Sequence, residues 1–63
     1  MNDTAMVMCE RLIRAARRYA AARKNDQANA AYMLAEQFLV YDALSVEQEE
    51  QARSLLLSSE EGV

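Results

Sequence analysis

The chain has 63 residues, with one glycine, no proline, no histidine, one cysteine and a net charge of −3. That inventory excludes an internal disulfide, a serine or cysteine nucleophile activated by histidine, and a glycine-rich phosphate loop. It also speaks against a metal site, because Cys9 is the only thiol and imidazole is absent.

At this length a single core is marginal, since folding buries only about 60% of the unfolded surface. Proteins this small usually add a disulfide, a metal or a partner subunit, and a partner subunit is the device left here. The absence of proline and of interior glycine suits helices and disfavours hairpins. The opening MNDTAMVMCE holds an acidic residue and no apolar run of signal-peptide length. No segment approaches the ~20 apolar residues of a membrane span, so a cytoplasmic setting is expected. Charge is unevenly distributed. Residues 1–24 sum to +4 and residues 25–63 to −7, a polarity that points to a charged contact somewhere in the molecule or its assembly.

The first helix is expected from about residue 3 to Lys24, capped by Asn2 or Asp3. At about 100° per residue, Ala5, Met8, Cys9, Leu12, Ala16, Tyr19 and Ala20 share one face. Met6 and Ile13 lie on its edge, and Glu10, Arg11, Arg14, Arg17 and Arg18 lie opposite. Arg23 and Lys24 suit the negative end of the helix dipole. Asn25-Asp26 reads as a short break in which either residue caps a second helix from Gln27 to about Tyr41. So short a turn predicts an antiparallel helical hairpin, with Ala16 and Ala20 facing Ala31 and Ala35.

The second helix is the centre of the chain. From Ala30 to Tyr41 its only polar residues are Glu36 and Gln37. Ala28, Ala31, Ala35 and Phe38 form its most consistent face, with Tyr32 and Leu39 beside them. A helix apolar nearly all round needs cover on more than one flank. A second break at Asp42-Ala43-Leu44 leads to Ser45, which with Gln48 spells a capping box. The third helix is expected from Val46 to about Ser58, with Glu47, Glu49 and Glu50 favoured by the dipole at its start. Ala52, Leu55, Leu56 and Ser59 share its apolar face, and residues 59–63 form a polar tail expected to fray.

The fold class that follows is all-α: three helices, a long antiparallel hairpin plus a shorter C-terminal helix, in a single small domain that assembles as a helical-bundle homodimer. Leu12, Tyr19, Ala31, Ala35, Phe38, Leu39, Leu55 and Leu56 are its expected core or dimer interface.

No catalytic residues, cofactor or metal are expected, and the chain reads as non-enzymatic. The clustered glutamates of the third helix are a solvated helix start, and Cys9 is a small buried hydrophobe. Two features invite a partner. Arg11, Arg14, Arg17 and Arg18 form a stripe roughly 10 Å long that can grip carboxylates or phosphates. Against that stands the simpler expectation of a solvated face, partly neutralised by the acidic third helix or a second copy. Met33 and Val40 share the polar side of the second helix, where exposed methionine suits an adaptable contact; the simpler expectation is their burial under the third helix or a dimer mate. The favoured function is a small regulator that binds another protein, as an inhibitor or adaptor of bacterial or phage type. The alternative is an RNA- or DNA-binding regulator using the arginine face, and the overall acidity weighs against it. A structural subunit of a larger complex is the third possibility.

Overall fold

A computed structural model describes the backbone of residues 3–62 and the side chains of residues 6–62. Three helices follow one another: α1 (Asp3–Ala21), α2 (Asn25–Tyr41) and α3 (Val46–Glu60). No strand occurs among the described residues, so the all-helical, three-helix architecture expected from the periodicity is the one observed. Asn2, one of the two caps expected for α1, lies outside the described residues, and Asp3 is already helical.

α1 stops at Ala21, short of the expected Lys24, and the reason is in the backbone. Arg23 takes a left-handed conformation with φ 63°. Its N–H donates to the Ala20 carbonyl at 3.0 Å, and the Lys24 N–H donates to the Tyr19 carbonyl at 2.8 Å. These two bonds are the Schellman ending of a helix, at a position that ordinarily holds glycine. The chain then re-enters a helix at once. Lys24 is the N-cap of α2 and its side chain makes no capping bond. The expected capping by Asn25 or Asp26 is therefore corrected, because both lie inside the first turn, where the Asp26 carboxylate suits the positive end of the dipole.

α2 ends on a second left-handed residue, Asp42 at φ 56°, whose N–H donates to the Phe38 carbonyl at 2.9 Å. Aspartate tolerates this region better than most residues. The capping box of α3 forms as spelled in the sequence. The Gln48 N–H donates to Ser45 Oγ at 3.2 Å, and the Ser45 N–H donates to Gln48 Oε1 at 3.0 Å. α3 then continues to Glu60, with Ser59 only 4% exposed. The tail expected to fray is helical through Glu60, for a reason that lies on α1.

α1 and α2 form the hairpin and share the most extensive interface of the three. Its register is marked by the Cys9 thiol, which donates to the Ala35 carbonyl at 3.4 Å. The seam is built from small residues: Ala16, Ala31 and Ala35 are buried, whereas Ala20, expected beside them, is exposed. α3 lies across one side of this hairpin. Tyr19 passes under it, 2% exposed, and its hydroxyl donates to the Leu55 carbonyl at 2.6 Å. The core is Leu12, Ala15, Tyr19, Ala28, Leu34, Ala35, Ala52 and Leu56, with Met8, Ile13, Phe38, Leu44 and Leu55 packed against it in part. Among the described residues no helix is long and apolar enough to cross a membrane.

The radius of gyration, 10.8 Å, matches the roughly 10.6 Å expected for a closed domain of this length. Its exposed apolar residues are thus a property of a closed domain, not of an open one.

Candidate functional site

The four arginines of the stripe divide between two tasks. Arg11 pairs with Glu60 at 2.8 Å, both side chains about half exposed. Arg18 donates to the Ser59 carbonyl at 3.3 Å and to Ser59 Oγ at 3.5 Å. α3 carries no basic residue in its own last turn, so its unsatisfied carbonyls and negative dipole end are met by cations reaching over from α1. This is why the polar tail stays helical. Arg14 also borders this contact, lining a small cleft with Ala15, Leu56, Ser59 and Glu60. Arg14 and Arg17 are exposed and make no hydrogen bond or ion pair with another described residue. The simpler expectation, an arginine face partly neutralised by the chain's own third helix, thus describes Arg11 and Arg18, and leaves Arg14 and Arg17 unpartnered.

Of the expected core, Leu12, Tyr19, Ala31, Ala35 and Leu56 are buried, while Phe38 and Leu55 are half-buried on its margin. Leu39, expected in the core or the dimer interface, is 71% exposed and takes no part in the core of the single chain. It sits on the flank of α2 away from α3, and the buried leucine of that helix is Leu34, on the α3 side. Met33 and Val40 are 65% and 64% exposed and point away from the hairpin. With Glu36, Gln37 and Tyr41 they line an open groove of about 370 Å³. Sequence reasoning did not single out Tyr41, which ends the same strip at 69% exposure; it read as one more apolar residue of a helix that has them on every side.

A second concavity, of about 510 Å³, opens where α1, the end of α2 and α3 meet. Met8, Phe38, Leu44 and Leu56 give it an apolar floor, and Asp42, Glu49 and Arg53 stand at its rim. Cys9 is unbridged and 4% exposed. Burial, with a smaller contribution from the Asp42 carboxylate, pushes its thiol pKa up, the opposite of what a reactive cysteine needs. No three His, Cys, Asp or Glu side chains among the described residues are grouped to hold a metal ion.

Compared with protein-family models, with curated proteins and with solved structures, the chain matches none. A reading of its function therefore rests on these surfaces.

Proposed function

We propose that this chain is a non-enzymatic regulator that acts as a homodimer by binding another protein. The observation that carries the reading is the outer strip of α2, where Met33, Val40 and Tyr41 stand at least 64% exposed around one groove. Met33 reaches the edge of α3 at Gln48 and Gln51, and the greater part of the strip is left exposed. Methionine beside a branched aliphatic and an aromatic ring suits an adaptable protein contact, and Glu36 and Gln37 supply hydrogen-bonding groups at its border.

The test is capture from a host lysate by the intact chain, with and without nuclease, against a variant carrying Met33→Ser and Val40→Ser. A protein retained after nuclease and lost with the variant supports the reading. Retention by the variant as strongly as by the native chain refutes the assignment of the strip.

A nucleic-acid-binding regulator is the second reading, favoured by one observation: Arg14 and Arg17 have no partner among the described residues. Its strength is bounded by that count. Two phosphate contacts per chain give a log–log salt slope of about −2, or roughly tenfold between 50 and 200 mM salt. Arg14→Gln should roughly halve that slope if nucleic acid is the target, and should leave protein capture intact if it is not.

A further inference from the structure

The hairpin has two broad sides, and α3 covers one of them. Its contacts reach α1 through Arg11, Arg18 and Tyr19 and border α2 along Ala30, Met33, Leu34 and Gln37. About half a turn round each helix lies the other side. There α1 presents Met6, 65% exposed, half-buried Ile13 and exposed Ala20, and α2 presents Tyr32 and Leu39, 44% and 71% exposed. The Cys9–Ala35 contact sets the levels. Residues whose numbers sum to about 44 lie opposite one another in the antiparallel pair, so Met6 stands level with Leu39 and Ile13 with Tyr32. Buried Cys9, Ala16, Ala28 and Ala35 make a shallow floor between them.

The charges on this side have a specific pattern. Glu10 and Arg17 lie seven residues apart along the outer edge of α1, both exposed, which is about 10 Å at 1.5 Å per residue. Ile13-Arg14 lies midway between them. A two-fold axis through that midpoint, running across the hairpin, turns α1 end for end. It sets Arg17 of each copy level with Glu10 of the other. The same operation brings Ile13 against Ile13 and Tyr32 against Tyr32 at the centre, and puts Met6 over Ala20, the small exposed residue near the far end. A two-fold axis parallel to the helices would instead bring Glu10 level with Glu36 of the second copy, a like-charge contact that costs affinity. The pattern is self-complementary in one orientation only.

From this we infer that the uncovered side of the α1–α2 hairpin is the seat of a second copy of the chain, packed with the two interhelical turns at opposite ends. The inference rests on the homodimer reading above and assigns it a surface and an orientation. The molecule measures 33 × 20 × 18 Å, so a broad side offers a footprint of about 660 Å², a little under the roughly 800 Å² per partner of a standard stable interface. The Met33–Val40 strip lies outside this contact, on the outer edge of α2, and stays accessible to a different partner.

The test is sedimentation equilibrium of the full chain, with helix content followed by circular dichroism. Both charged residues are exposed, so charge reversal there leaves the fold in place. Arg17→Glu should weaken the dimer at least tenfold, and adding Glu10→Arg in the same chain should restore it by re-forming the pairs with inverted sign. A native chain that stays monomeric at millimolar concentration overturns the homodimer reading altogether. A native dimer that neither Arg17→Glu nor the double reversal alters keeps the homodimer and overturns this interface.

Discussion

Leu12 and Leu39 are the same side chain in opposite circumstances, and truncating each to alanine separates what holds the monomer together from what the monomer exposes. Leu12 is 0% exposed and the largest side chain buried to that degree. Most of its neighbours in the core are alanines, which leaves Leu12, Tyr19, Leu34 and Leu56 to supply the bulk. Alanines cannot swell to refill a gap, so Leu12→Ala should cost about 3–5 kcal/mol, the upper range for buried leucine. A chain of this length has a total stability of roughly 3–9 kcal/mol. In urea, with a slope near 1 kcal/mol per molar for so small a domain, the midpoint should fall by about 3 M or the helical signal should vanish without denaturant. Leu39→Ala removes as many atoms at a site 71% exposed, and alanine is the better helix former. Its cost in dilute solution should stay below about 0.5 kcal/mol. The assay is urea unfolding followed at 222 nm, at a concentration low enough to exclude association. Equal losses for the two variants, or a loss below about 1 kcal/mol for Leu12→Ala, would refute the packing described here.

Four further outcomes follow from local geometry. Ser45→Ala removes the acceptor of the α3 capping box and should lower the unfolding free energy by about 1 kcal/mol. Tyr19→Phe deletes the hydroxyl that donates to Leu55, at a cost of about 1 kcal/mol with the helix content unchanged. Arg23→Gly relieves a left-handed backbone at φ 63° and should stabilise the chain by about 0.5–1 kcal/mol, read as a higher melting temperature. Cys9 should label slowly with a disulfide reagent at neutral pH. Because burial and then Asp42 raise its folded pKa, the unfolded thiol loses its proton first. The contribution of the neutral thiol is therefore complete below the ordinary thiol pKa of about 8.5 and is lost as pH rises toward the folded value. Cys9→Ala should remove that part of the alkaline destabilisation.

Much of this structure is legible in the sequence because much of it is local. The amphipathic pattern of α1 places Leu12 and Tyr19 inside, and Ser45 with Gln48 announces the start of α3 before any packing is known. α2 is harder to read. With apolar residues on every side, its periodicity does not say which flank α3 will cover, so Leu34 and Leu39 look alike until α3 is placed. The turns mislead for a related reason. Arg23 and Asp42 occupy backbone positions that glycine usually signals, and a chain with its single glycine at Gly62 gives no such sign. The length of α3 depends on Arg11 and Arg18, more than forty residues away from the groups they contact, and no short window contains that information. Of the candidate surfaces, the polar neighbours of Met33 and Val40 leave room for exposure, but only the placement of α3 shows that it does not bury them. The division of the arginine stripe could not, since it depends on where α3 ends.

That long reach has a consequence for how the protein comes into being. Leu55, Ser59 and Glu60, the groups that engage α1 from α3, are made after the whole hairpin. A hairpin that forms before α3 docks has both broad sides bare, and the side later taken by α3 is then as open to a neighbouring chain as the side assigned here to the second copy. Chains folding at high concentration would meet in that state, and the docking of Arg11 and Arg18 on the last turn of α3 is the event that closes the wrong side.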